Sequence, residues 1–209
     1  PLFIACQDGH ESTARLLLDK GASVDLAKNN GVTPLFMACQ EGHESNARLL
    51  LEKGASIDLA KNDGATPLYM ACKNGHESTA RLLLDKGASF DLAANDGATP
   101  LLMASQNGHE STARLLLDKG ASVDLADNDG VTPLFMVCQL GHESTVRLLL
   151  DKGASVDFAN NAGVTPLFMA CQVGHESTAR LLLDKGASVD LADNDGVTPL
   201  FMVCQLGHE

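Results

Sequence analysis

Cysteine, histidine and aspartate recur in this chain at spacings that could hold a metal ion or form a nucleophile. Cys39 and His43 stand four residues apart, the separation at which two helical side chains can supply half of a zinc site. With Asp58 they are also the residue types of a Cys/His/Asp nucleophile. Gly42 interrupts the helix between them, however, and no third or fourth metal ligand recurs nearby. We therefore expect no metal-binding residue here.

A fixed repeat of 33 residues argues against catalysis more generally. A catalytic centre needs unlike residues that converge on one point, whereas here every residue type returns in register. Two stretches, Pro100 to Thr132 and Pro166 to Thr198, differ at only three positions. We expect a solenoid that is not an enzyme, with no catalytic residue and no cofactor. The repeat is marked by Gly31, Gly64, Gly97, Gly130, Gly163 and Gly196.

The composition narrows the classes of partner. The formal net charge is -12, from 27 acidic and 15 basic residues, so the protein repels phosphates. It contains one Tyr and no Trp, which removes the aromatic surfaces on which nucleic acid bases stack. No apolar run approaches the roughly 18 residues of a membrane span. We expect no nucleic acid partner, no membrane insertion, and a basic or neutral protein partner.

The six cysteines indicate a reducing compartment. All six occupy the same position of the repeat, beginning with Cys6, and Ser105 takes that position in the one repeat without a cysteine. Packed helices lie about 8–10 Å apart, whereas the Cα atoms of a disulfide usually lie within about 7 Å. The row therefore cannot form a disulfide ladder, and we expect buried, reduced thiols in an intracellular, cytoplasmic protein.

Each repeat reads as two short helices followed by a turn. Thr33 can cap the first helix and Pro34 suits its first position; Gly42 ends it. A second helix is predicted from about Glu44 to Lys53. The segment that follows contains Asp63-Gly64, a dipeptide typical of two-residue hairpin turns, so each repeat is expected to project a finger. Ala162-Gly163 lacks the Asn or Asp, which predicts a looser finger there.

These residues closely resemble the ankyrin repeat family. The phrase Gly31-Val32-Thr33-Pro34-Leu35, the Gly42-His43 pair, the Leu50-Leu51 pair and Gly54-Ala55 stand at that family's spacing, and the resemblance covers the whole chain. It implies an all-α solenoid of antiparallel helix pairs with projecting β-hairpin turns. It also implies a noncatalytic scaffold that binds a protein or peptide in a concave groove. We expect one array over residues 1–209, six full periods and part of a seventh, excised from a longer array and monomeric.

Two adjacent positions of the first helix carry apolar residues along the whole chain. Apolar residues replace the usual histidine after Thr-Pro-Leu, which predicts a hydrophobic ladder of Phe3, Phe36, Tyr69, Leu102, Phe135, Phe168 and Phe201. Methionine recurs from Met37 to Met202, either as packing or as a contact stripe.

Specificity is expected where residues vary while the frame stays fixed. The first helix ends in acidic or polar residues in the early repeats and in apolar ones later, and the finger base changes from Lys to Asp. Drift at solvated positions, in a spacer array without a ligand, is the open alternative. The candidate partner-binding residues are Lys28, Glu41, Lys61, Asp63, Asn74, Asp96, Asn107, Asp127, Asp129, Leu140, Val173, Asp193, Asp195 and Leu206.

Overall fold

The computed structural model of the chain describes residues 1–206, without the side chains of Val203, Gln205 and Leu206. The chain forms two compact units, Pro1–Ala121 and Ser122–Glu209. All regular structure in the described part is helical, as predicted. The first unit contains α1 (Leu2–Gln7), α2 (Glu11–Asp19), α3 (Pro34–Gln40), α4 (Glu44–Glu52), α5 (Pro67–Lys73), α6 (Glu77–Asp85), α7 (Pro100–Gln106) and α8 (Glu110–Asp118). The second contains α9 (Pro133–Leu140), α10 (Glu143–Asp151), α11 (Pro166–Val173), α12 (Glu176–Asp184) and α13 (Pro199–Leu206).

The first helix of each repeat begins as the sequence predicts. Thr33 is the N-cap of α3, and its Oγ1 accepts a hydrogen bond of 3.1 Å from the Phe36 N–H. Pro34 occupies the first helical turn, where a missing N–H has no cost. The same bond recurs at Thr66, Thr99, Thr132 and Thr165. Within each unit these first helices pack side by side: α1, α3, α5 and α7 in the first unit, and α9, α11 and α13 in the second.

The second helix of each repeat buries leucines on one side and exposes an ion pair on the other. Glu44 pairs with Arg48 at 2.6 Å, one turn later, and the pair recurs in every repeat. Both groups are well exposed, so solvent screens each pair and its contribution to stability is small. The opposite side carries Ala47 and Leu50, which are fully buried.

The fingers turn differently from the predicted two-residue hairpin. The Gly31 N–H donates to the Lys28 carbonyl at 2.8 Å, and the Lys28 N–H donates to the Val32 carbonyl at 3.0 Å. A two-residue Asn-Gly turn of the I′ type needs positive φ at both residues, but only glycines have positive φ in the described chain. Each finger is thus a four-residue turn in which only the glycine is left-handed. Gly31, for example, has a φ of 84°.

This geometry explains why the expected loosening at Ala162 does not occur. The finger there keeps both bonds, from Gly163 N–H to the Asn160 carbonyl at 2.9 Å and from Asn160 N–H to the Val164 carbonyl at 3.0 Å. The position before glycine has negative φ, so alanine fits it without strain.

Successive fingers are joined at their tips. Asn62 donates through its backbone N–H to the Asn30 carbonyl at 3.0 Å and through Nδ2 to the Asn29 carbonyl at 3.2 Å. A Cβ at Gly31 would lie 2.7 Å from the Asn62 Oδ1, so glycine is also required for this close approach. Asn95, Asn161 and Asn194 make the same side-chain bond.

Below the fingers, aspartate and serine link one repeat to the next. The Asp25 carboxylate accepts from the Ser56 N–H at 3.1 Å and from its hydroxyl at 2.6 Å. The N–H contact recurs between Asp58 and Ser89, Asp124 and Ser155, and Asp157 and Ser188.

None of the described helices is long and apolar enough to cross a membrane.

Candidate functional site

The predicted hydrophobic ladder is a packing core for most of its length. Phe36, Tyr69 and Leu102 are buried together with Met37 and Met103 in the first unit. Phe135 and Phe168 are buried in the second unit, whereas Phe201 is exposed. The methionine row is buried or half-buried throughout, so its main role in the structure is packing.

Four of the six thiols are buried, as predicted, and two are not. Cys6, Cys39, Cys72 and Cys138 are buried, and desolvation raises the thiol pKa of Cys6 to about 11 and of Cys138 to about 12. The expectation of a uniformly buried row is wrong near the end of the chain. Cys204 is exposed and Cys171 is only partly covered.

The histidines serve as ties between repeats. The His43 Nε2 lies 3.0 Å from the Gln7 carbonyl oxygen, and the His76 Nε2 lies 2.9 Å from that of Gln40. The ring therefore caps the end of the preceding first helix, and its proton belongs on Nε2. Within residues 1–206, no three His, Cys, Asp or Glu side chains lie close enough to hold a metal ion.

In the first unit, the variable position at the end of the first helix makes hydrogen bonds within the protein. Asn74 caps α5 and donates through Nδ2 to the Gln40 carbonyl at 2.8 Å. Asn107 donates to the Met103 carbonyl at 2.9 Å, and Glu41 accepts from the Gln40 side chain at 3.0 Å. These polar side chains satisfy helix-end carbonyls or one another.

In the second unit, the same position is apolar and exposed. Leu140 and Val173 are the last residues of α9 and α11, which are one residue longer than α3, α5 and α7. Their side chains are 43% and 40% exposed. Each lies one turn beyond a half-buried methionine, Met136 or Met169, and so extends an apolar strip on that side of the helix. The Leu206 side chain lies outside the described part of the chain.

The lysines at the finger bases of the first unit are held by intramolecular contacts. The Lys28 Nζ lies 3.6 Å from the centre of the Phe3 ring, a cation–π contact. Lys61 lies over Phe36 at 5.9 Å and forms an ion pair of 2.6 Å with Asp63. The finger base therefore lies against the first helix of its own repeat, which places fingers and first helices of the first unit along one face.

A change of hydrogen-bond acceptor distinguishes the fingers of the two units. In the first unit the acceptor is the residue before glycine, as where Asp63 Oδ1 accepts from the Ala65 N–H at 3.2 Å. In the second unit the finger base takes over: Asp127 Oδ1 accepts from the N–H groups of Asp129 and Val131 at 3.0 and 2.9 Å. Asn160 and Asp193 do the same in their fingers.

This change releases two carboxylates. Asp129 and Asp195 are exposed, and their side chains make no hydrogen bond or ion pair within residues 1–206. Ala162 holds the corresponding position in the finger between them. The formal charge of -12 is also unevenly divided, with -4 on residues 1–121 and -8 on residues 122–209. The second unit is therefore the more strongly acidic.

Sequence reasoning missed one exposed apolar row. The residue after Asp25, and after the equivalent aspartate of each later repeat, is 39–71% exposed. In the first unit, Leu92 borders an open groove of about 510 Å³ with Leu84, Phe90 and Lys119. A strict 33-residue recurrence of large apolar residues in a polar segment was the available signal. The row comprises Leu26, Leu59, Leu92, Leu125, Phe158 and Leu191.

Repeated helix pairs joined by hydrogen-bonded fingers define a helical repeat protein. The sequence matches a family model described as ankyrin repeats in three copies. The matches overlap and cover residues 1–61, 57–127, 90–160, 119–193 and 151–209. The chain belongs to the ankyrin repeat family. Ankyrin repeat domains are generally noncatalytic modules of protein–protein interaction.

Solved structures agree with this assignment. The chain is similar to the human ASB11 ankyrin repeat domain, with 32% identity, a TM-score of 0.90, and coverage of 100% of this chain and 97% of that one. It is also similar to the ankyrin repeat domain of Bcl-3, a member of the IkappaB protein family, with 31% identity, a TM-score of 0.87, and coverage of 97% and 92%. No curated protein sequence matches the chain.

Proposed function

We propose that this chain is a noncatalytic scaffold that binds a partner protein or peptide along its first helices and fingers, the concave groove expected of such repeats. The observation that carries the proposal is the exposure of Leu140 and Val173 at a position whose asparagine side chains, in the first unit, hydrogen-bond to carbonyls of the first helices. An exposed apolar side chain without a structural task is suited to be covered by a partner.

A spacer array without a ligand is the competing function. A spacer would be expected to present the same surface in each repeat, whereas here the helix ends change from polar to apolar and the finger acceptor changes with them. These coordinated differences favour a binding role over drift.

The partner we propose is basic with apolar anchors, and it binds the second unit most tightly. The -8 charge of residues 122–209 supports this polarity, because charges at the rim of an interface mainly set association rate and salt dependence. The reduced thiols support an intracellular, reducing location. We also propose that the free protein is a monomer.

A matched pair of variants tests the surface. Leu140→Glu with Val173→Glu is expected to weaken partner binding by more than about 2 kcal/mol, the magnitude typical of hot spots. Leu125→Glu with Leu191→Glu, at positions 39% and 41% exposed in the missed row, adds the same charge to the same unit and is expected to leave affinity unchanged. Affinity is measured by calorimetry with a partner captured on the wild-type protein, after circular dichroism confirms folding. Equal effects of the two pairs would exclude the proposed surface.

A further inference from the structure

The change of acceptor in the fingers of the second unit leaves a fixed arrangement of charge. Asp129 and Asp195 have free carboxylates, and Ala162 stands between them on the middle finger. Asp127 and Asp193, although also acidic, point into their own turns and accept backbone hydrogen bonds. Only the first two carboxylates are therefore available to a ligand without cost to the turn.

The spacing of these carboxylates follows from the repeat. Adjacent fingers are joined tip to tip by the Asn161 N–H bond to the Asp129 carbonyl at 3.0 Å and the Asn194 N–H bond to the Ala162 carbonyl at 3.0 Å. Packed helices lie about 8–10 Å apart, so two repeat steps separate the carboxylates by about 16–20 Å. Leu140 and Val173, one repeat apart, are exposed apolar residues at the C-terminal ends of α9 and α11, the first helices that follow the Asp129 and Ala162 fingers.

We infer, on the basis of the proposed function, that the partner segment has two cationic groups about 16–20 Å apart beside an apolar stripe. The cations face Asp129 and Asp195, and the apolar stripe covers Leu140 and Val173. An amphipathic helix of about 18 residues is roughly 27 Å long and can carry both features. The alanine finger makes the middle of the row neutral, so a cation at the centre of the segment gains nothing.

Two fluorescent helical peptides of 18 residues are suitable probes. Both have the same leucine stripe, and their polar positions are all lysine in one and all glutamate in the other. The full chain is titrated with each peptide at low and moderate salt, and binding is followed by fluorescence anisotropy. The wild-type protein is expected to bind the lysine peptide, with affinity falling as salt rises, and not the glutamate peptide.

Matched charge removals separate a fixed arrangement from general attraction. Asp129→Asn with Asp195→Asn is expected to weaken binding of the lysine peptide about threefold to tenfold and to reduce its salt dependence. Asp63→Asn with Asp96→Asn removes the same formal charge at the same repeat position in the first unit. Asn30 shows that asparagine keeps the turn acceptor there, through a 3.3 Å bond from the Val32 N–H. This control is expected to change affinity less than twofold.

The outcomes distinguish the inference from the function on which it rests. Equal losses for the two aspartate pairs, or no loss for either, would overturn the charge arrangement. If Leu140→Glu with Val173→Glu still abolished binding of the captured partner in that case, the proposed surface would stand. Retained binding by that leucine and valine variant would instead remove the proposed function.

Discussion

His76 fits against Gly42 so closely that a Cβ on the glycine would lie 2.6 Å from the imidazole Nδ1. The same imidazole places its Nε2 2.9 Å from the Gln40 carbonyl oxygen and so closes the end of α3. One repeat thus ends its first helix with a side chain of the next, and the glycine between the helices leaves the space for it.

Gly42→Ala is therefore expected to destabilise the protein by about 2–4 kcal/mol, from left-handed strain and displacement of the imidazole together. Gly54→Ala is the matched control, because Gly54 has a similar φ of 85° but no atom within 4 Å of its Cβ position. We expect about 1–2 kcal/mol there. Urea denaturation followed by circular dichroism measures both, and equal losses would show that the histidine contact contributes nothing.

Ser105 offers a stabilising substitution. Its side chain is fully buried in the cysteine row, and its Oγ has no hydrogen-bond partner. Ser105→Cys replaces an unsatisfied hydroxyl by a small apolar thiol and is expected to raise stability by about 1–2 kcal/mol. Cys72→Ser is the reverse change at the equivalent buried position and is expected to lower it. A lower urea midpoint for Ser105→Cys would contradict this account.

Two of the finger bases are expected to differ in their tolerance of alanine. After Asp127→Ala, the Asp129 side chain can accept from Val131, as Asp63 does from Ala65, so the loss is expected to stay below about 0.5 kcal/mol. After Asn160→Ala no such substitute exists, because Ala162 has no acceptor, and about 1 kcal/mol is expected. Adding Ala162→Asp to the Asn160→Ala variant is expected to recover the lost stability. Thermal denaturation of the three variants makes the comparison.

Thiol labelling is expected to be unequal along the chain. Cys204 is exposed and reacts first, Cys171 follows, and the buried thiols of Cys6, Cys39, Cys72 and Cys138 react only as the protein opens. Mass spectrometry after brief labelling of native protein reads the order. Fast reaction at Cys39 or Cys72 would show that the core is open.

Alkaline pH is expected to destabilise the protein through the same thiols. Burial raises the pKa of the Cys6 thiol to about 11, so the folded state keeps a proton that the unfolded chain loses near pH 8.5. Stability is therefore full below about pH 8.5 and falls as pH rises towards the folded value, by up to about 1.4 kcal/mol per pH unit for each such thiol. Cys138→Ala is expected to reduce that slope in urea denaturation between pH 8 and 11.

The helices were predictable because their signals are local. Thr33, Pro34 and Gly42 fix the limits of α3 by capping, by the ring and by left-handed geometry, and all three act within a few residues. The finger geometry was not, because the Asn-Gly dipeptide is compatible with more than one turn, and the sequence does not show which of them forms.

The exposure of side chains on the candidate surface was also hard to predict, because it depends on contacts with residues distant in the sequence. Leu140 reads as variable in the sequence, but its exposure depends on which neighbours cover the end of α9. The exposed row that includes Leu26 and Leu59 looked like ordinary apolar content, because burial at those positions is set by contacts between repeats.

The hydrogen bonds between successive repeats also bear on how such a molecule can change its length. Each contact joins residue types that recur at the same offset, as where Asp25 meets Ser56 and Asp58 meets Ser89. Deleting residues 34–66 would join Thr33 to Pro67 and bring Asp25 to Ser89, so every contact type would survive. Deleting one residue fewer would place the residues on the two sides of the junction out of register. Insertions and deletions are thus tolerated in whole steps of 33 residues, which lets reach be adjusted independently of fold.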